Sequence, residues 1–176
     1  MSSHYRWKYP SLVVLLLSFF GTAQALTADE KESIECLALN IYHESRNDHY
    51  AGQIAVADVV MNRVEDSRYP NTVCDVVKQS KMSIWWKKHH NKDVPIKNQC
   101  QFSWYCDGLS DEAKNKRAWN AAYSIAYLMV HNGDYRGITE GATHYHATYV
   151  DPYWASSHGM INIGRIGEHV FYRWSK

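Results

Sequence analysis

One stretch of this chain limits its architecture more than any other. Gln53 to Val64 reads Gln-Ile-Ala-Val-Ala-Asp-Val-Val-Met-Asn-Arg-Val, with apolar residues nearly all round a helical projection. A helix that is apolar on every side belongs inside a core, with other elements packed around it. The many valines would also suit a strand. The small alanines, the length and the close coupling to the segment before it favour a helix.

That preceding segment is amphipathic. Thr27-Ala28-Asp29-Glu30 forms a capping box, in which Thr27 caps the third helical amide and Glu30 reaches back. The predicted helix runs from about Ala28 to Ser45, and Asn47-Asp48 breaks it. Ile34, Leu37, Ala38, Ile41 and Ser45 recur at helical spacing and form its buried stripe. At about 100° per residue, Glu44 falls about 20° from Leu37, on the edge of that stripe. A carboxylate there is partly desolvated, and desolvation raises its pKa. Such a group holds a proton at neutral pH and can donate it, as general-acid catalysis requires. The competing reading is a Glu that simply pairs with Arg46 or His43.

The first 25 residues have the form of an export signal: Arg6 and Lys8, an apolar run from Ser11 to Phe20, then Ala23-Gln24-Ala25 before the cut. The run is short for a membrane span, and a retained N-terminal anchor is the competing reading. The expected mature domain is 26–176, in the periplasm or extracellular wall, meeting a membrane only through its leader. In an oxidising compartment the four cysteines, Cys36, Cys74, Cys100 and Cys106, suggest two disulfides. The expected pairing is Cys74–Cys100 with Cys36–Cys106, because Cys100 and Cys106 lie at either end of an apparently extended segment. A zinc site is the rival, but no CxxC pair is present.

Without Arg6 and Lys8 the chain has 17 basic and 18 acidic groups, a net −1. That argues against nucleic acid as a partner. Seven Trp and 13 Tyr suit stacking on sugars, though the same rings also fill cores.

Further along, Thr72 to Gln79 reads as a short helix, Gln101 to Tyr105 as a strand, and Asp111 to His131 as a long helix ended by Asn132-Gly133. Ala142 to Tyr149 and Glu168 to Trp174 read as extended pieces. Residues 81 to 98 are the least regular; their lysines, Trp85, Trp86, His89 and His90 make a basic-aromatic segment that could follow an anionic polymer or simply be a solvated face. The fold class is α+β, helix-rich with a small antiparallel sheet.

His144 and His146 alternate on a predicted strand and share one face. That spacing serves a metal or a sugar cleft equally, but no further metal ligand is evident nearby. No GxSxG elbow, P-loop or GxGxxG is present. Acid/base chemistry at a carboxylate remains, and no metal or other cofactor is expected.

CLALNIYHESRNDHYAGQIAVADVVMNRV, PNTVCDVV, CQFSWYCDG, GATHYHATYVDPYWA and RIGEHVFYRW occur in this order across about residues 34 to 174. Together they resemble the SleB-type cell-wall hydrolase family, the spore-cortex-lytic-enzyme-like group. That family commonly has Glu-Ala-Arg-Gly-Glu where this chain has Glu44-Ser45-Arg46-Asn47-Asp48. The resemblance implies a lysozyme-like fold and cleavage of peptidoglycan glycan strands; separately, a monomer is expected. It implies Glu44 as the catalytic acid/base. Gln101, Phe102 and Ser103 would form a sheet edge beside the cleft, and His144, Tyr145, His146 and Trp154 would lie across it as substrate contacts. Asn62 and Arg63 match a family pair and read as buried polar supports.

The expected reaction breaks the bond between N-acetylmuramic acid and N-acetylglucosamine. A hydrolase would need a second carboxylate, and Asp48, Asp58 and Asp107 are equal candidates. A lytic transglycosylase needs one alone, so the absence of a marked partner favours it over a muramidase. The alternatives are an N-acetylmuramoyl-L-alanine amidase, with His144 and His146 starting a zinc site, and a non-catalytic glycan-binding module.

Overall fold

The computed structural model describes residues 25–175. The expected leader lies outside them, apart from Ala25. No helix among the described residues is long and apolar enough to cross a membrane.

Helix α1 spans Ala28–Ser45. Its capping box forms: Thr27 Oγ1 accepts from the Glu30 amide at 3.2 Å, and Glu30 Oε2 accepts from the Thr27 amide at 2.8 Å. The five stripe residues are all buried. Cys36, Asn40 and Tyr42 are buried as well, so α1 is covered on more than the stripe. Asn40 can lie inside because its Oδ1 accepts from the Trp104 indole N–H at 3.2 Å.

Helix α2, Tyr50–Glu65, is buried on nearly every side. Ile54, Ala57 and Val60 join a larger core with α1, the short helix α3 (Val73–Val77) and helix α5 (Lys116–Tyr127). Ala55, Val56 and Val59 join a second core with Ala142 and Phe171. Its all-round apolar pattern thus reflects two cores, one on each side.

The second core is covered by a three-stranded antiparallel sheet in the order β3-β5-β4, where β3 is His144–Ala147, β4 Met160–Ile166 and β5 His169–Trp174. Tyr145 pairs with Phe171 and His144 with Tyr172. Alternation turns Tyr145 and Phe171 toward α2, and His144, His146 and Tyr172 outward. A separate pair, β1 (Ser80–Met82) and β2 (Pro95–Cys100), carries helix α4, Ile84–His90, between its strands. The helix-rich α+β class with small antiparallel sheets stands.

Several local expectations give way. Gln101 to Tyr105 is not a strand: β2 ends at Cys100, and Ser103–Cys106 turns as a 3₁₀ helix. Its aromatic residues favour strands, but here they turn inward, with Phe102 and Trp104 buried in the larger core. This turn also overturns the cysteine pairing. It brings Cys106 back to Cys100, with Cα atoms 6.1 Å apart, and these two are bonded. Cys36 bonds Cys74 instead, tying α1 to α3. The long helix starts later than expected, at Lys116, where Asn115 Oδ1 caps the Ala118 amide at 3.1 Å. It ends in a π turn, Leu128–Asn132, closed by Gly133 at φ +74°. Residues 81 to 98 are more regular than expected, and β4 was not foreseen.

Candidate active site

The last turn of α1 delivers Glu44 to a groove of about 310 Å³, whose walls include Asp48, Tyr149, Glu168 and His169. A larger groove, about 930 Å³, is lined by Tyr42, Trp104, Asp107 and Asp111 among others. His43 and Arg46 line both, so the two adjoin at the end of α1. The His43 ring stacks on Trp104, with centroids 4.6 Å apart and planes 16° from parallel.

Burial raises the Glu44 pKa above the ordinary carboxylate range. Two features restrain the rise: a hydrogen bond from the Tyr145 hydroxyl, which donates to Glu44 Oε2 at 3.2 Å, and the positive charge of Arg63. Burial pushes the Tyr145 phenol well above its usual range, and the nearby Glu44 charge adds to this. Tyr145 therefore keeps its proton and acts as a fixed donor.

Arg63 is buried and sits between the rings of Tyr69 and Phe102, 5.4 Å from each centroid. Its Nε donates to the Thr143 carbonyl at 2.8 Å. With its amide oxygen turned inward, Gln101 accepts from both Arg63 Nη atoms at 3.2 and 3.3 Å. Asn62 donates to Thr139 Oγ1 and the Ala142 carbonyl. Both residues hold α2 to the loop before β3, as the support reading expected. Arg63 has the further electrostatic role toward Glu44.

Of the expected substrate contacts, Tyr145 touches Glu44 itself. Gln101 reaches it only through Arg63. Phe102 is a core residue beneath Arg63, and Ser103 is exposed at the start of the 3₁₀ turn, so these three form no sheet edge. His144, His146 and Trp154 cluster on the outer face of the sheet, opposite Tyr145: Trp154 lies 5.4 Å from His144 and 5.6 Å from His146. His146 Nε2 meets the Tyr172 hydroxyl at 3.1 Å. Burial, with help from Arg63 and Arg68, pulls the His144 pKa down to about 4.

The three second-carboxylate candidates differ in position. Asp58 is buried in α2 and accepts from Arg136, the Gly137 amide and both the amide and hydroxyl of Thr139. Asp107 accepts from the Leu109 amide at 2.7 Å on the larger groove. Asp48 lines the Glu44 groove, but its oxygens accept from the Glu168 amide at 3.0 Å, the His49 amide at 2.8 Å and His49 Nδ1 at 2.7 Å. Burial alone would raise its pKa; these hydrogen bonds outweigh that and hold it below the usual range. The sequence reading passed over Glu168, which lines the same groove and meets Arg165 Nη2 at 3.2 Å. Its proximity depends on a contact across 120 residues, and nothing in the local pattern marks it.

A helix-rich domain with a small sheet, carrying a desolvated carboxylate where a core helix reaches a groove, is the arrangement of a lysozyme-like enzyme domain. The chain belongs to the Cell Wall Hydrolase family, whose model matches residues 47–172 and so begins just after Glu44. A 47-residue stretch is 45% identical to the spore cortex-lytic enzyme of Bacillus cereus and 38% identical to that of Oceanobacillus iheyensis. It covers 27% of this chain, but only 18% and 17% of those proteins. The fold matches the catalytic domain of the Bacillus cereus SleB protein with a TM-score of 0.55 and 25% identity, over 81% of this chain and 91% of that domain. It matches the catalytic domain of the germination-specific lytic transglycosylase SleB from Bacillus anthracis with a TM-score of 0.56 and 24% identity, over 85% and 98%. The resemblance read from the sequence blocks is thus borne out for family and fold.

Proposed function

We propose that the protein is an exported peptidoglycan-cleaving enzyme that uses Glu44 as its general acid and base. The carrying observation is the raised pKa of Glu44 at a groove, with its carboxyl held by Tyr145. Protonated Glu44 gives its proton to the oxygen linking N-acetylmuramic acid to N-acetylglucosamine. The C1–oxygen bond breaks, the N-acetylglucosamine end departs with the proton, and an oxocarbenium-like sugar remains. The Arg63 charge and the Tyr145 hydrogen bond stabilise the carboxylate left behind.

Glu44 then takes a proton from the 6-hydroxyl of the same muramic residue. That oxygen bonds to C1 and closes a 1,6-anhydro ring. This route needs a single carboxylate. It is favoured over hydrolysis because the other two carboxylates of the groove are engaged: Asp48 uses its oxygens to hold the His49 and Glu168 amides, and the Glu168 carboxylate meets Arg165. The Bacillus anthracis neighbour is a lytic transglycosylase, which is in keeping with the same choice.

The test is Glu44→Gln, which keeps the shape and removes the titrating proton. Solubilisation of purified peptidoglycan should fall by at least about 10²-fold, within the range of lost acid-base catalysis. The melting temperature should hold or rise, because a desolvated charge is removed. Mass spectrometry of the wild-type digest should show anhydro-muramic ends; reducing ends would replace the transglycosylase by a muramidase. An active Glu44→Gln protein would end the proposal.

A further inference from the structure

Helix α4 has no part in the site, and none of its residues is buried. It stands at the tip of the β1–β2 arm, where Ser83 caps its first turn and the Ser83 amide donates to the Val94 carbonyl at 2.8 Å. Asn91, left-handed at φ 51°, ends it. Ile84 is 83% exposed and Trp85 55%, with Met82 and Trp86 also open. Soluble surfaces carry single exposed apolar residues, but a group of large ones marks an interaction site.

The rings are prearranged. Trp85 meets Trp86 edge-on at 5.2 Å and stacks on His89 at 4.9 Å, while Trp86 lies 4.6 Å from His90. Around them are five lysines, at 81, 87, 88, 92 and 97, against Asp93 alone. That is a net +4 over 17 residues, in a chain whose whole net charge is +1. Lys87 pairs with Asp93 at 2.7 Å; Lys88 is exposed beside it.

We propose that α4 and the arm beneath it dock on an anionic lipid surface. Charge complementarity gives the sign of the partner. The aliphatic groups give its class: a hydrated glycan or phosphate polymer can stack on tryptophan, but it offers no apolar phase for Ile84 and Met82. An interface between head groups and acyl chains takes both, with tryptophan at the boundary and lysines toward the head groups. This extends the protein's contact with membranes beyond its expected leader, and it does not rest on the glycan-cleaving reading.

The experiment uses the protein purified after export, with vesicles of phosphatidylglycerol and phosphatidylethanolamine, vesicles of phosphatidylcholine alone, and insoluble peptidoglycan. Co-sedimentation with the anionic vesicles and a blue shift of tryptophan fluorescence are expected, with little binding to phosphatidylcholine and strong loss in high salt. Lys88→Gln should weaken vesicle binding about fivefold, the share of one lysine near such a surface. Ile84→Ser should weaken it at least about tenfold, from the lost burial of one aliphatic side chain. Both side chains are exposed, so circular dichroism and cleavage of dispersed peptidoglycan should not change. Failure to bind anionic vesicles, equal binding to neutral ones, or unchanged binding by Ile84→Ser would overturn the proposal. So would variants that lose binding to the wall polymer alone.

Discussion

Gly52 lies in the first turn of α2, where replacing glycine by alanine ordinarily stabilises a helix by up to about 1 kcal/mol. Gly52→Ala should do the opposite here. A Cβ at this position would lie 2.1 Å from Asp48 Oδ2 and 2.4 Å from its Cγ. The carboxylate has nowhere to retreat. Its side chain is only 4% exposed, and a Cβ on Gly167, on its other side, would already come within 2.4 Å. Asp48 must therefore give up hydrogen bonds, chiefly those from the Glu168 and His49 amides. Bonds to a charged group contribute roughly 1.5–3 kcal/mol each. Losing both, against the small helical gain, gives a net destabilisation of about 2–6 kcal/mol. For a domain of this size that lowers Tm by roughly 4–24 °C.

The decisive assay is a double-mutant cycle by urea unfolding followed by circular dichroism. In an Asp48→Ala background the carboxylate is gone, so Gly52→Ala should be neutral or stabilising by up to about 1 kcal/mol. A neutral Gly52→Ala in the wild-type background would refute the reasoning. So would an equal cost in both backgrounds, because the clash would then not be with Asp48.

The two disulfides should differ in their contribution. The Cys36–Cys74 bridge spans 38 residues and Cys100–Cys106 spans 6, so chain entropy assigns about 4 kcal/mol to the first and about 2 to the second. Urea midpoints of the two paired Cys→Ala variants, measured under oxidising conditions, test that order. His144, with a pKa of about 4 in the folded protein against about 6.5 free, is favoured in its neutral form by folding. The stability this contributes is complete above the free value and is lost as pH falls from about 6.5 toward 4; His144→Gln should flatten that part of the stability profile, and the imidazole resonance should titrate near 4. Glu44 has the opposite sign: its raised pKa means stability is lost as pH rises from the ordinary carboxylate range through the raised value, a slope that Glu44→Gln should remove.

What could be read from the sequence was local. The capping box and stripe of α1 need only neighbours three and four residues away, and the structure reproduces that helix from Ala28 to Ser45. The burial of α2 follows from composition. Glu44 was legible for the same reason, since its position at the stripe's edge is a property of one helix. The late start of the long helix reflects a local cap at Asn115 that was missed; the other misreadings required knowing where a distant segment lies. Phe102 and Trp104 have strand-forming side chains, yet the 3₁₀ turn carries them into the larger core, and packing outweighs propensity. The cysteine pairing failed with that strand, because an extended 100–106 segment would have kept Cys100 and Cys106 apart. Gly52 looks like an ordinary helix-start glycine, and only the crowding by Asp48 gives it a purpose; Gly167 faces the same carboxylate, but its φ of +65° also suits glycine.

The acidity of Glu44 and the register of the sheet are one problem. A desolvated carboxylate with no donor would be costly and badly oriented, and its donor here comes from β3 rather than from its own helix. Tyr145 can reach Glu44 only because it shares the inward face with Phe171, its partner across the strands. Phe171 is fixed in turn by Ala55, Val56 and Val59 of α2. A slip of one residue along β3 would turn Tyr145 outward and bring His144 or His146 in. In the observed register both lie on the outer face, packed against Trp154, and His146 meets the Tyr172 hydroxyl. The same α2 that anchors Phe171 also carries Arg63, whose charge limits how far the Glu44 pKa climbs. The apolar pattern from Gln53 to Val64 thus does more than fill a core. By packing on both sides it places the donor and the counter-charge of Glu44 together, so the two effects that restrain its raised pKa both depend on a helix whose residues do not line the groove.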